Sequence, residues 1–350
     1  MKVAFVVKYF FPMKRPSGIL NFVYELCEEI SHSVKLTVYT YRASKDLPRV
    51  SEKNSYTIKR VGFPFPVKVN NQLAEDNPDI IIVGSGIKEP IIAATYFLTL
   101  SLGLKSRIIY HQYVKMSNRN KSSLRFLLNG FAGIICVSKE ISDFFDSFNT
   151  KTTMIPPGVN ISRLDETKEY EKTGVRIGYF GHFRPHKGPD LLLDEFIELG
   201  LKDVELMMAG EGPLLNQLIQ KSKQYPNIQI KGFLEDNKQH IKSCDIVVFP
   251  FRSDDSILGV SQTLLEAMGM GKAVICSDTG CLNCIVEDNV DGLIFRTRRQ
   301  LNNHMKTLIF DPELREKLGC QARKKIIKQH NIEKISRDFL RVLEEAYEKS

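Results

Sequence analysis

The sequence predicts an α/β protein made of two doubly wound units. Short apolar runs alternate with amphipathic stretches along almost the whole chain, the order that gives a parallel sheet covered by helices on both faces. The alternation stops in a polar, charged stretch at 159–174 and then begins again. The chain has 350 residues, more than one hydrophobic core usually serves.

The elements follow from the pattern in order. Residues 2–7 read as a strand, and 8–18 as a loop carrying K-R-P-S-G. Apolar residues at 19, 22, 23, 26, 27 and 30 have helical spacing. Strands are expected at 36–41 and 57–61. Another is expected at 79–83 (D-I-I-I-V), ending at Gly84-Ser85-Gly86 and followed by a helix from about Glu89. A strand at 107–110 ends at His111, a helix covers 122–129, a strand at 133–137 ends at Ser138, a helix covers 141–148, and a short strand lies at 153–155. In the second half, strands are expected at 175–180, 204–209, 228–230, 245–250, 273–277 and 293–295. Helices are expected at 189–199, 214–224, near 236–243 and at 263–270, with two closing helices at about 312–329 and 332–348. Loops at the carboxyl ends of such strands are where ligands sit, which singles out 8–18, 84–86, His111 and Ser138.

Composition narrows the function classes. Hydrophobic content of 43% with 26% charged residues describes a globular chain with ample core. The N-terminus is apolar but too short and interrupted for a signal peptide, and the apolar stretch 90–104 is too short to span a bilayer. Seven cysteines, mostly in apolar runs, fit reduced thiols rather than a disulfide framework, and the lone Cys281-x-x-Cys284 has no second pair to complete a zinc site. A cytoplasmic protein is expected. Residues 1–150 hold 20 Lys and Arg against 12 Asp and Glu, while 151–350 hold 29 of each, so the whole net charge of +8 lies in the first half. A basic half suggests an anionic partner, and the stretch 115–131, which mixes cations with an apolar patch, is a candidate for peripheral contact with an anionic membrane. Aromatic residues are not interleaved with the cations, and no nucleic-acid partner is expected.

Two stretches carry the chemistry. The first reads R-I-G-Y-F-G-H-F-R-P-H-K-G from Arg176 to Gly188: a strand, a loop with His182, Arg184 and Lys187, then a helix. Strand, basic loop and helix N-terminus is how α/β proteins hold a phosphate, because backbone N–H groups and the helix dipole favour the anion and the cations complete the charge match. The second reads S-Q-T-L-L-E-A-M-G from Ser261, and sets Glu266 between Leu265 and Ala267, a poor place for a carboxylate without partners. Together they read as two halves of one nucleotide-diphosphate site.

The order and spacing of these and other segments resemble the family 4 glycosyltransferases, enzymes of the GT-B architecture in which two Rossmann-like domains face a central cleft. The matching stretches are G-H-F-R-P-H-K-G at 181–188, V-E-L-M-M-A-G-E-G-P-L at 204–214, I-K-G-F-L at 230–234, C-D-I-V-V-F-P at 244–250, T-L-L-E-A-M-G-M-G-K-A-V-I at 263–275 and V-E-D-N-V-D-G-L-I-F at 286–295. The first half matches more loosely, through P-S-G-I, I-I-Y-H, I-I-C-V-S and M-I-P-P-G-V-N. The resemblance implies an acceptor-side domain at 1–160, a linker at 161–174, a donor domain at 175–330, and a C-terminal helix at 331–350 packing back on the first domain. It implies that Lys187 binds the diphosphate of a nucleotide-sugar, that Glu266 accepts hydrogen bonds from the ribose hydroxyls, and that backbone N–H groups of Ser261, Gln262, Thr263 and Leu264 hold phosphate. Gly181, Gly210 and Gly212 would shape the loops beside the donor, Phe233 would lie at the nucleobase, Gly18 would approach the phosphate from the other domain, and His111 would point into the cleft near the sugar and acceptor. The family commonly has Arg where this chain has His182, with Arg184 able to stand in. It often has Glu where this chain has Leu258, with Asp254 and Asp255 as possible substitutes.

The expected reaction is retaining transfer of a sugar from a UDP- or GDP-sugar to a glycan or lipid-linked acceptor, with no metal and no cofactor. Lys187 and Arg184 would stabilise the charge that gathers on the departing diphosphate. Two other readings stay open: a GT-B-fold epimerase or phosphorylase, and a catalytically silent relative that binds a nucleotide or glycan, for which Leu258 is the main support.

Overall fold

The computed structural model describes residues 1–350 apart from 11–17, 43, 54, 120, 125–127, 129, 149, 151, 172–173, 253–260 and 349–350. The chain forms two compact units, Met1–Gly158 with Ile332–Ser350, and Val159–Asn331.

The first unit is built on an eight-stranded sheet in the order β3-β4-β2-β1-β5-β6-β7-β8. Its strands are β1 (Lys2–Val6), β2 (Lys35–Tyr41), β3 (Val50–Glu52), β4 (Tyr56–Val61), β5 (Ile80–Ser85), β6 (Arg107–Gln112), β7 (Gly133–Cys136) and β8 (Thr152–Met154). Every neighbouring pair is parallel except β3 with β4. The central strands read as unbroken apolar runs because both faces are covered: Ile80 to Val83 are all fully buried. Helices α1 (Gly18–Ile30), α2 (Phe65–Asp76), α3 (Pro90–Ser101) and α4 (Lys139–Asp146) follow β1, β4, β5 and β7.

The second unit has a six-stranded, all-parallel sheet in the order β11-β10-β9-β12-β13-β14. The strands are β9 (Val175–Phe180), β10 (Val204–Ala209), β11 (Ile228–Lys231), β12 (Ile246–Phe249), β13 (Ala273–Ser277) and β14 (Leu293–Phe295). The helices are α5 (Ile161–Glu166), α6 (Pro189–Leu199), α7 (Leu215–Ser222), α8 (Lys238–Lys242), α9 (Gln262–Gly269), α10 (Gly280–Asn283), α11 (Arg298–Phe310) and α12 (Pro312–Gln329), and the closing helix α13 (Ile332–Glu348) belongs to the first unit. Alternate strand residues feed two cores: Phe180, Val247 and Phe249 join one, while Tyr179, Ile246 and Val248 join the other.

Several elements differ from the sequence pattern. The stretch 161–174, expected as a linker, contains α5 and lies inside the second unit. The Asn160 side chain caps that helix by accepting from the Arg163 N–H at 3.0 Å, and Leu164 is 1% exposed in the core. Helix α11 stands where none was expected, opened by a capping box in which the Thr297 hydroxyl and the Gln300 amide bond each other's backbone N–H. Helix α2 also forms, with Pro66 in its first turn. The helix expected at 122–129 opens as a 3-10 turn, Lys121–Leu124, with Leu128 helical further on.

The residue at the end of β6 has an unexpected setting. His111 is fully buried, its ring 4.5 Å from that of Tyr113, 5.2 Å from Phe339 of α13 and 6.2 Å from Phe22 of α1. Neither ring nitrogen has a hydrogen-bond partner among the described residues, and burial lowers its pKa to about 3. The ring is therefore neutral in the folded protein. Unfolded, it titrates near 6.5 and takes up a proton below that pH, which the folded state refuses. The contribution is complete above pH 6.5 and is lost as pH falls from there toward 3, at up to ~1.4 kcal/mol per pH unit. Urea midpoints measured across this window are expected to fall less steeply for His111→Leu than for the wild type, and parallel curves would overturn the assignment.

Candidate functional site

All strands of the second sheet point one way, so the loops at their carboxyl ends share one edge. From β9 the chain first builds outward through β10 and β11, then returns to the other side of β9 for β12, β13 and β14. The direction reverses between β9 and β12. Loops leaving such a reversal diverge and open a crevice at the strand ends, the usual ligand position in open α/β sheets. Residues 181–188 leave from β9 there, and residues 250–252 leave from β12.

The 181–188 loop is pinned by its own apolar residue. Phe183 is fully buried and stacks on Tyr179, while the Tyr179 hydroxyl donates to the His182 carbonyl at 2.8 Å. The Phe183 N–H donates to the Glu211 carbonyl at 2.7 Å, and the Leu214 N–H donates to the Phe183 carbonyl at 3.1 Å, which ties the loop to residues 210–214 after β10. A 3-10 turn at Pro185–Lys187 then leads through Gly188, at φ 64°, into α6.

Glycine is required at three of these places for space. A Cβ on Gly188 would lie 1.9 Å from the Pro250 carbonyl oxygen, one on Gly210 would lie 1.8 Å from that of Gly181, and one on Gly212 would lie 2.4 Å from that of Phe183. Backbone therefore packs on backbone where the loops after β9, β10 and β12 converge.

With the loops fixed, the side chains can be placed. The Lys187 ammonium sits 3.9 Å from the centroid of the Phe251 ring, a cation–π contact that joins the two sides of the reversal. Arg184 and His182 are exposed on the same loop. The His182 pKa is held below the ordinary imidazole value, first by loss of water, then by the Arg184 guanidinium, with Lys187 adding to this and Glu211 opposing it. Ser261 caps α9 by accepting from the Leu264 N–H at 3.4 Å, with Thr263 half-buried in the first turn and Gln262 buried. Glu266, one turn along α9, is 7% exposed and has the Lys238 ammonium at 3.9 Å. Phe233 is half-buried in the loop after β11.

The second unit thus brings together Gly181, His182, Arg184, Lys187, Gly210 and Gly212 in two interlocked loops, and it carries Ser261–Leu264 and Glu266 on a helix that enters from β12. The arrangement supplies cations, a capped helix start and a buried carboxylate, which suits an anionic ligand that also has hydroxyls. Gly18, exposed at the start of α1, and His111 belong to the first unit. The expectation that His111 points toward a ligand is corrected by its burial among aromatic rings. Asp254, Asp255 and Leu258 lie outside the described residues.

Sequence reasoning passed over Arg252. Its guanidinium donates to the Pro185 carbonyl at 2.8 Å and grips both Asp190 carboxylate oxygens at 2.9 and 2.8 Å, while its backbone N–H donates to the His186 carbonyl at 2.8 Å. It fastens the β12 loop to the start of α6. The position, just beyond an apolar strand, gave no signal of this. Lys238 was also missed, because its partner Glu266 lies far away in sequence.

The glycine contacts can be tested against a built-in reference. Gly200 has φ 66° and open space around it, since a Cβ there would meet nothing within 4 Å, so Gly200→Ala carries only the left-handed strain of ~1–2 kcal/mol. Gly188→Ala carries the same strain and the clash with Pro250, and is expected to cost a further ~1–3 kcal/mol in urea unfolding. Equal losses would refute the close approach.

Comparison with known proteins agrees with this architecture. Residues 174–311 match the family model described as glycosyl transferases group 1, and residues 16–163 match glycosyltransferase family 4. An uncharacterised glycosyltransferase of Methanocaldococcus jannaschii is 23% identical over 346 residues, covering 90% of this chain and 86% of that one. A phosphatidyl-myo-inositol mannosyltransferase of Mycolicibacterium smegmatis is 22% identical over 318 residues, covering 83% and 80%. Among solved structures, Anabaena HepE in complex with UDP superposes with a TM-score of 0.77 at 17% identity, covering 98% of this chain and 100% of that one. Sucrose-phosphate synthase of Thermosynechococcus elongatus gives 0.80 at 16% identity, covering 99% of both. With both halves matched and the β9–β12 reversal carrying the family's loop sequences, the chain belongs to the family 4 glycosyltransferases of the GT-B fold.

Proposed function

We propose that this glycosyltransferase moves a sugar, with retention of configuration, from a UDP- or GDP-sugar to a glycan or lipid-linked acceptor. The observation that carries the reading is the Lys187 ammonium held over Phe251 at the β9–β12 reversal, close in the chain to exposed Arg184 and supported by the Gly188–Pro250 contact. A nucleoside diphosphate leaves with concentrated negative charge, and fixed cations stabilise that charge without the reorganisation that water would need. Lys187 and Arg184 supply this, the N–H groups of Ser261, Gln262 and Thr263 add to it while that of Leu264 is taken by the Ser261 cap, and no metal or cofactor is required. Glu266 takes the ribose hydroxyls, with Lys238 keeping its carboxylate in place. Gly181, Gly210 and Gly212 keep the loops low enough for the donor, and Phe233 lies against the base.

The proton of the acceptor hydroxyl passes to the departing phosphate on the same face of the sugar, so no side-chain base is needed. His111 takes no part, since its buried ring is shielded from any acceptor. Support for the donor class comes from the UDP and UDP-glucose complexes of Anabaena HepE, and for a lipid-side acceptor from the mannosyltransferase of phosphatidyl-myo-inositol. The buried Cys27 and Cys136, both outside any disulfide, suit work on the reducing, cytoplasmic side of a membrane.

A thermal-shift series with UDP, GDP, ADP and their sugar conjugates, with and without a chelator, tests the reading. A nucleotide at about 100 times its Kd should add roughly 2.7 kcal/mol to the wild type. Lys187→Ala and Glu266→Ala are expected to keep their own melting temperatures and lose that response, with the chelator changing nothing. If no nucleotide shifts the wild type, the donor site is refuted. If one shifts it and no sugar is transferred to any acceptor, the chain binds without catalysing.

A further inference from the structure

Helix α3 is apolar on every side. From Pro90 to Leu104 the sequence has no Asp, Glu, Lys or Arg. One stripe faces the core, with Ala93, Phe97 and Leu100 buried. The opposite side is mostly apolar as well: Ile91 is 51% exposed, Ile92 56%, Leu98 54% and, at the helix end, Leu102 71%, with Thr95 between them. A surface helix of a globular protein normally turns charged residues to this side, and one that is apolar all round calls for a covering partner.

Its threonine and serine hydroxyls are satisfied within the helix. The Thr95 hydroxyl donates to the Ile91 carbonyl at 3.0 Å, that of Thr99 to the Thr95 carbonyl at 2.9 Å, and that of Ser101 to the Phe97 carbonyl at 2.7 Å. Asn70 of α2 donates to the Leu100 and Leu102 carbonyls at 2.7 and 2.9 Å, closing the helix end. Ile91, Ile92, Thr95, Tyr96 and Thr99 then line a shallow groove of ≈ 370 Å³ against Pro66 of α2.

Charge flanks the face. Lys88 precedes α3 and Lys105 follows it, both exposed. The unit that carries them holds 25 Lys and Arg against 17 Asp and Glu, while the other unit holds 24 of each. Two copies joined through this face about a two-fold axis would bring like charges together. An anionic bilayer meets both features at once, taking the apolar stripe among its acyl chains and the lysines at its headgroups. Twelve helical residues span about 18 Å, enough to lie in the interface and too little to cross it.

We propose that the outward face of α3 is a membrane-docking surface for anionic lipid, with Ile91, Ile92, Leu98 and Leu102 inserted and Lys88 and Lys105 at the headgroups. The inference deepens the lipid-side reading of the acceptor given above and is independent of the donor. It moves the contact away from the basic stretch 115–131 that the sequence had suggested.

The test is co-sedimentation of the full chain with vesicles of phosphatidylcholine alone and of phosphatidylcholine mixed with phosphatidylglycerol, alongside light scattering of the chain in solution. The wild type is expected to bind the anionic vesicles at least about tenfold more tightly than the neutral ones. The triple change Ile91→Ser, Leu98→Ser, Leu102→Ser should lose roughly tenfold or more, and the double change Lys88→Gln, Lys105→Gln should lose about fivefold per lysine at low salt. An unchanged melting temperature and nucleotide response in these variants would separate loss of docking from loss of fold or donor site. If the apolar triple is unstable, Leu102→Ser alone and the lysine pair carry the comparison. Unaltered vesicle binding by the variants, absence of wild-type binding, or a solution dimer that the apolar triple dissolves would each overturn the proposal.

Discussion

The site of the second unit depends on backbone lying against backbone. At Gly188, Gly210 and Gly212 a carbonyl oxygen from a neighbouring loop occupies the space a side chain would need. These three contacts join the ends of β9, β10 and β12 into one structure. They determine where Lys187 can stand, because the turn that presents it is closed on one side by Gly188 and Pro250 and on the other by Phe183 in the core. The cation–π contact with Phe251 and the clamp made by Arg252 act on a loop whose path is already set. A ligand held by backbone N–H groups and one placed ammonium needs this order of events: rigidity first, then charge.

Burial, more than residue type, separates structural from chemical roles here. His111 and His182 both sit at the carboxyl end of a central strand or just beyond it, and the sequence offers little to tell them apart. His111 lies between the sheet and the two helices α1 and α13, and the second of these comes from the far end of the chain. That long-range contact excludes water from the ring and leaves it neutral and, among the described residues, without polar partners. His182 sits in a loop that passes over the sheet edge, exposed and beside Arg184. Glu266 is buried as deeply as many core residues, and the Lys238 ammonium at 3.9 Å is the charge that offsets the loss of water around its carboxylate.

The second unit was more legible in the sequence than the first. Its strands and the helices between them fall close to the apolar runs, and the glycines that the loops require stand in the sequence as Gly188, Gly210 and Gly212. Helix α11 was hidden because its register is set by the Thr297–Gln300 capping box and by contacts with α6, while its own sequence is mostly polar. Helix α5 was hidden by charge: Arg163, Asp165 and Glu166 surround Leu164, which packs into the core with Ile161 while Asp165 pairs with Arg323 of α12. Arg252 and Lys238 could not be foreseen, since each acts on a partner brought near only by the sheet order. The composition of residues 90–104 pointed to a buried helix, and the fold leaves one side of it open.

Charge divides between the units in a way that fits two kinds of anionic partner. The second unit is neutral overall, so in the proposed donor site the attraction for a diphosphate would come from a few cations close to it. Contacts of that kind are short compared with the Debye length of about 8 Å at physiological salt, and screening touches them little. The first unit carries the entire excess of +8 on an exposed surface. Attraction from that surface acts over longer distances and fades as salt rises. A small ligand that must be placed to within a fraction of an ångström is thus served by local groups, and an extended surface that needs only to be found and held is served by the field of a whole unit. Separating the two lets each be strong without disturbing the other.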